Sequence, residues 1–323
     1  MHFCLKLIRS IGLIYTVFAM LSAATVFGGI EQEKEESFNV KAGGMLTIES
    51  DLGSIEITGV NGDKVHIRVL MEADTRDEKK AEEIFEDFHV EFEQTGDNVQ
   101  VFGEYDNDRW NYWGNRRNLM RVKFLVTVPK EYEIDVETGG GGISISDLNG
   151  NVICKTSGGG LEFHGVVGEI QGRTSGGGIE IIRCNGHIDV ETSGGGIDIE
   201  ETEGKVYAST SGGGIDIDEI KGSIDASTSG GGITAYISGQ PTDDCSLSTS
   251  GGGIKVYLDK NVNLDLDVQT SGGRIKSDFF EERSKKDNRY YQERRSSYRG
   301  SINDGGPELY LRTSAGNIYI EEI

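Results

Sequence analysis

A segment reading Thr-Ser-Gly-Gly-Gly followed by an aliphatic residue recurs along the chain, and it limits the possible folds more than any other feature. Its threonines, or their equivalents, stand at Thr138, Thr156, Thr174, Thr192, Thr210, Thr228, Thr249, Thr270 and Thr313. The first five steps are 18 residues, the next two 21 and the last 43. Self-similarity at a fixed short period marks stacked repeats, each too small to bury its own apolar face. The last step reads as one further coil followed by an insertion of similar size.

Within the unit that starts at Thr192, Ile197 and Ile199 alternate with Asp198 and Glu200. After Gly204, Val206 and Ala208 alternate with Tyr207 and Ser209. A period of two means strands. The glycine triplet suits a sharp corner with positive φ and close backbone approach, and the lone glycine column (Gly150, Gly168, Gly186, Gly204, Gly222) marks a second corner. Two inward columns follow. One is Ile143, Leu161, Ile179, Ile197, Ile215, Ile233, Ile254, Ile275 and Ile318; the other is Leu148, Val166, Cys184, Thr202 and Ile220. The expectation is an all-β parallel β-solenoid (β-helix) of about 18–21 residues per coil, with coils about 4.8 Å apart. Threonines at the unit start form a ladder whose hydroxyls can bond along the stack. The inward spacing does not follow the six-residue rule of the left-handed hexapeptide helix.

Composition agrees with repeats and excludes other classes. Glycine supplies 47 of 323 residues and proline 3, with no Gly-X-Y period, so collagen is excluded. The net charge of -22 offers no positive stripe of the extent nucleic acid demands. Met1 to Arg9 carries Lys6 and Arg9 ahead of an uncharged apolar run from Ile11 that thins into Ser22, Ala23, Ala24, Gly28 and Gly29. That is the pattern of a secretory signal peptide over residues 1–28, an uncleaved anchor being the alternative. The expected location is therefore exported: periplasmic, secreted or cell surface, with no integral membrane domain after cleavage. Cys154, Cys184 and Cys245 lack metal-type spacing and fall at inward positions, as small buried hydrophobes do.

Residues 29–37 read as a linker and 38–137 as a degenerate first coil plus a cap. Ser50 to Gly62 matches the repeat in spacing, and Val65, Ile67 and Val69 continue a strand. Thr75 with Glu78 reads as a capping box, and Ala81, Ile84, Phe85 and Phe88 fall on one helical face. Hairpin strands are expected at Val90–Phe92 and Val99–Phe102, and a strand at Val122–Val128. One short helix and a hairpin would thus cap the first end, whose open edge would otherwise recruit other chains. The regular repeats occupy 138–323, with the insertion at 279–299.

The Gly53-Ser-Ile-Glu-Ile57 coil, the Val126-Thr-Val-Pro129 strand end, the tandem Thr-Ser-Gly-Gly-Gly-Ile units and the segment Gly305 to Ile320 together carry a specific match. The chain resembles the bacterial adhesin-like, or toastrack, β-strand-repeat family over Phe38 to Ile323. The resemblance implies a β-solenoid in envelope or exported proteins, often beside envelope-stress modules, with no catalytic motif to carry over.

Three surface features are candidates for chemistry. Glu162, Glu180, Asp198 and Asp216 form one outward column on successive coils, with Ser144 before and Thr234, Lys255 and Lys276 after. Carboxylates about 5 Å apart repel, so a cation such as Ca2+ could relieve the ladder; a solvated acidic face is the competing reading. The calcium nonapeptide of β-roll proteins is not present. Trp110, Tyr112 and Trp113 share one short stretch and offer aromatic faces for a sugar or peptide, or for packing on the solenoid end. The insertion holds Arg283, Lys285, Lys286, Arg289, Tyr290 and Tyr291, suited to anionic glycans, lipid headgroups or an acidic ladder, or to a solvated hairpin.

Histidines after the signal are scattered, and no nucleophile elbow or HExxH occurs. The sequence therefore points to a non-enzymatic exported β-solenoid that adheres or binds through its surface, without a cofactor. Its expected partner is an envelope component, a glycan or another protein. The alternatives are an envelope-stress accessory protein sensing lipids or cationic peptides, and a polysaccharide-active β-helix enzyme.

Overall fold

The computed structural model describes residues 29–105, 120–279 and 296–323. The described chain is all-β with one short helix, arranged as a solenoid-like stack within a single mixed sheet.

Each repeat contributes a strand ending at the recurring threonine and a second strand beginning at the aliphatic residue after the glycines, such as Asn185–Thr192 followed by the stretch from Ile197. Successive repeats pair in parallel and in register. Thr138, Thr156, Thr174, Thr192, Thr210 and Thr228 stand beside one another, as do Ile143, Leu161, Ile179, Ile197, Ile215 and Ile233. Both inward columns are buried, and the three cysteines are free and buried with them. Burial pushes the three thiols above their ordinary range, so they stay protonated and inert.

The glycine triplet is required by contact more than by dihedral angle. Among the triplet positions only Gly141 has positive φ, at 119°. At Gly213, the middle of its triplet, a Cβ would lie 2.1 Å from the carbonyl oxygen of Gly195 in the rung below. Backbone thus stacks directly on backbone at this corner. The expected positive φ belongs to the lone-glycine corner, where Gly204 has φ 122°.

The threonines do not bond to one another. From Thr156 onward each hydroxyl donates to a glycine carbonyl of the neighbouring rung, as Thr192 does to Gly177 at 2.7 Å, and Thr192 accepts from Gly195 N of its own corner at 3.3 Å; Thr138 donates to Gly53 O instead. A buried hydroxyl so placed satisfies two backbone polar groups at the corner. Replacing Thr192 by valine is expected to cost about 1–2 kcal/mol, read from urea unfolding midpoints, because the shape is kept while both partners lose a bond.

Both ends depart from sequential stacking. The strands Met45–Ser50 and Ser54–Val60 form a rung beside Glu133–Thr138 and Ile143–Ser146. On their other side lie Asn98–Tyr105 and Met120–Pro129, which come later in the chain. The early rung therefore sits between two later ones. At the opposite end Glu308–Thr313 and Ile318–Glu322 lie between Cys245–Thr249 with Ile254–Leu258 on one side and Leu264–Thr270 with Ile275–Ser277 on the other. The late rung fills a slot between two earlier ones. Stacking at this end therefore does not follow chain order. The rungs that end at Thr249, Thr270 and Thr313 present the same threonine–glycine corner, so the repeat does not encode their order.

Antiparallel strands lie against outer rungs at both ends. Lys64–Ala73 pairs with Met120–Pro129, Phe88–Thr95 with Asn98–Tyr105, and Ser297–Ile302 with Leu264–Thr270. Part of the insertion expected at 279–299 is thus a sheet strand. Residues 29–37 are likewise not a linker: Ile30–Asn39 is an edge strand antiparallel to Lys64–Ala73. Its run of Glu and Lys hides the apolar alternation and discourages edge-to-edge association. The helix is Glu78–Phe85, burying Ala81 and Ile84, while Phe88 opens the next strand. Its N-cap is Asp77, which accepts from Lys79 N and Lys80 N. Thr75 does not form the expected box; its hydroxyl accepts from Asp77 N instead. An aspartate adjoining the first turn is the stronger cap. Among the described residues no helix is long and apolar enough to cross a membrane.

Candidate functional site

The strands that follow the glycine corner turn alternate side chains outward, so in-register stacking converts sequence positions into columns. The column through Glu162, Glu180, Asp198 and Asp216 is preceded by Ser144, itself beside Glu56 of the early rung, and continues through Thr234 and Lys255. The inserted late rung then places Tyr319 between Lys255 and Lys276, which the sequence had put next to each other. Beside it runs a second column: His164, Ile182, Glu200, Asp218, Tyr236, Tyr257 and Glu321. Six carboxylates therefore share one face of the middle rungs, and the face changes to tyrosine and lysine farther along.

Electrostatics follow this layout. Partial burial, then the charges of Asp216, Glu180 and Glu200, hold the Asp198 carboxyl above its ordinary range. His164 Nε2 lies 3.9 Å from Glu180 Oε2. Among the described residues no group of three or more His, Cys, Asp or Glu is arranged to hold a metal ion. Because the raised value means that folding disfavours the ionised form, Asp198 lowers stability as pH rises through its folded pKa. Replacing Asp198 by asparagine is expected to raise stability by about 0.5 kcal/mol at neutral pH and low salt. Chemical denaturation across pH and salt checks this: the gain should fade in acid and shrink as ions screen the column.

In the tyrosine and lysine section, the Tyr236 and Tyr257 rings stack at 4.3 Å and 8°. Lys255 Nζ sits 4.7 Å from the Tyr257 ring centre and 3.5 Å from Glu321 Oε2. Sequence reading missed this pair although the signal is present: Tyr236 and Tyr257 are separated by the 21-residue step.

On the other outward face, Asp267 is 6% exposed and lies between two arginines from neighbouring strands. Arg312 Nη2 approaches its Oδ2 at 2.7 Å and Arg299 Nη2 at 2.8 Å. The Arg312 hydrogen bond, opposed by desolvation and aided by Arg299, holds the Asp267 carboxyl below its ordinary range. Asp265, Ser301, Glu308 and Tyr310 line the adjoining open cleft. The cluster ties the antiparallel strand and the late rung to the strand between them. Sequence reasoning missed it because Arg299 and Arg312 reach Asp267 only through the non-sequential pairing.

Trp110, Tyr112 and Trp113 lie outside the described residues, as do Arg283, Lys285, Lys286, Arg289, Tyr290, Tyr291 and the signal segment 1–28.

A stack of glycine-cornered rungs whose outer columns carry acidic and then aromatic-cationic side chains defines a solenoid-like repeat protein with an extended surface. The Toastrack DUF4097 family model matches residues 44–321, and the chain belongs to that family. No curated protein matches the sequence. Among solved structures, a provisionally named adhesin from Bacteroides fragilis is similar at 14% identity, covering 90% of this chain and 97% of that one, with a TM-score of 0.40. A provisionally named adhesin from Parabacteroides distasonis is similar at 10% identity, covering 90% and 97%, with a TM-score of 0.36. A provisionally named lipid-binding protein from the same species is similar at 14% identity, covering 90% and 96%, with a TM-score of 0.31.

Proposed function

We propose that this chain is an exported, non-enzymatic protein of the bacterial envelope that binds its partner through the outward faces of a parallel β-solenoid. The observation that supports this reading most is the in-register repetition of outward side chains over successive rungs. Such columns present the same chemistry at about 4.8 Å intervals, which suits an extended partner such as a glycan strand better than a single small substrate. The regular rungs also contain no local break of the kind a catalytic centre would introduce.

Retention of the full-length protein on insoluble cell-wall material, extracted envelope glycans and lipid vesicles tests the proposal. Binding to at least one fraction is expected, with a loss of roughly tenfold, about 1.4 kcal/mol, in the W110A/Y112A/W113A variant. No retention on any fraction by a folded protein would refute surface binding, and unchanged retention by the variant would remove the aromatic stretch from it.

The six-carboxylate face supports a second reading, recruitment of cationic peptides during envelope stress. Attraction to that face should weaken steeply with salt. Salt-insensitive peptide binding would count against it.

A further inference from the structure

The chain contains three Asn-Gly steps: Asn61-Gly62, Asn149-Gly150 and Asn185-Gly186. All three asparagines are exposed, so solvent reaches each of them. They differ in what holds the glycine nitrogen that follows. Asn61-Gly62 lies in the exposed turn between the strands Ser54–Val60 and Lys64–Ala73. Nothing lies within 4 Å of a Cβ built on Gly62, and among the described residues its N–H has no backbone hydrogen-bond partner. The turn is anchored at its two ends, where Val60 O accepts from Lys130 N at 3.0 Å and Asp63 O accepts from Val40 N at 2.9 Å.

The other two steps belong to the lone-glycine corner, where backbone packs on backbone. Gly150 N donates to Val167 O at 3.0 Å, and Asn149 N donates to Lys130 O at 2.7 Å. Asn185 N donates to Val166 O at 2.9 Å while its own carbonyl accepts from Gly168 N at 2.9 Å. Asn185 and Gly186 also stand in register with Glu203 and Gly204 of the next rung. A Cβ on Gly150 would lie 2.0 Å from Tyr132 O, and one on Gly186 would lie 2.0 Å from Gly168 O. At neither site can the main chain rotate without parting two rungs.

We propose that Asn61 is a site of spontaneous deamidation in the folded protein, and that the stack protects Asn149 and Asn185 from the same reaction. The Gly62 backbone nitrogen loses its proton and bonds to the side-chain amide carbon of Asn61. The carbon–nitrogen bond of the side-chain amide breaks, and its nitrogen leaves as ammonia with that proton. Water then opens the cyclic imide. Opening at the side-chain carbonyl gives aspartate; opening at the main-chain carbonyl gives isoaspartate, with the main chain rerouted through the side chain. Water is the only co-reactant. Ring closure needs a rotation that glycine permits, and at Gly62 it breaks no backbone hydrogen bond. At Asn149 and Asn185 the same rotation waits for local opening of the rungs, with the free energy that such opening costs. Asn61 therefore records the age of a molecule, and the two stacked asparagines record how long its rungs have stood open.

Full-length protein is incubated folded in mildly alkaline buffer and, in parallel, unfolded in guanidinium chloride. Peptide mapping by mass spectrometry follows the amide-to-acid mass change at each Asn-Gly step, with chromatography separating the isoaspartyl form. In the folded protein Asn61 is expected to convert at least about tenfold faster than Asn149 or Asn185. In denaturant the three should convert within about threefold of one another, because the stack that distinguishes them is gone. Gly62→Ala meets no neighbour and no positive φ, so the fold should be kept. It should slow conversion at Asn61 by at least about fivefold, by hindering the approach of the nitrogen, and leave the other two unchanged. Asn61 remaining intact in the folded protein, or Asn149 and Asn185 converting there as fast as Asn61, would overturn the proposal. Undiminished conversion in Gly62→Ala would overturn the route through the Gly62 nitrogen.

Discussion

Replacing Gly213 by alanine is expected to cost at least about 3 kcal/mol, and to prevent folding if the protein has little stability to spare. The added Cβ would lie 2.1 Å from Gly195 O, 2.4 Å from Gly195 C and 2.5 Å from Gly196 N. All three atoms are backbone, held by the stack, so no flexible side chain can move aside. Relief would require the corner to open, separating Thr210 from its 2.7 Å bond to Gly195 O. Gly239 provides the comparison, because nothing lies within 4 Å of its hypothetical Cβ. Alanine there should change stability by no more than about 0.5 kcal/mol. Urea unfolding of the two variants checks the contrast, and equal behaviour would mean that the corners do not pack backbone on backbone.

The second large effect is expected at Asp267. Its replacement by asparagine removes the charge shared by Arg299 and Arg312, leaving Arg312 with its 2.6 Å bond to the Asp267 carbonyl oxygen. Breaking a buried pair by removing one partner costs about 3–5 kcal/mol. Arg299 is largely exposed and retains much of its hydration, so about 2 kcal/mol is expected here. The pH dependence has a definite sign. Folding lowers the aspartate pKa, so the carboxylate contributes fully above the ordinary aspartate range, and its contribution is lost as pH falls through the depressed folded value. The difference between wild type and variant should therefore be largest near neutrality and vanish in acid. A difference independent of pH would assign the loss to packing instead of charge.

What the sequence made legible was whatever the repeat itself encodes. Ile197 and Ile215, Cys184 and Thr202 occupy the inward positions that alternation assigns to them. The column from Glu162 to Asp216 is continuous because 18-residue spacing fixes register within the regular array. The order of rungs at the C-terminal end was illegible for the same reason. Thr249, Thr313 and Thr270 carry equivalent corners, and a period cannot say which of three equal neighbours lies in the middle. The Asp267 cluster and the position of Tyr319 depend on that order. Ile30–Asn39 escaped notice because an edge strand is selected for charge, which erases the alternation by which strands are recognised.

The interleaved ends also set a timetable for assembly. Between Glu133 and Leu258 each new repeat can dock on the one made just before it, so this stretch can zip up while the polypeptide is still emerging from the ribosome or a translocation pore. The rung at Met45–Val60 must instead wait for Ser146 before both its neighbours exist, and the place beside Leu264–Ser277 stays vacant until Ile318–Glu322 arrives. Vectorial growth in the middle is thus followed by two slower, long-range closures, with the cost in rate that distant contacts carry.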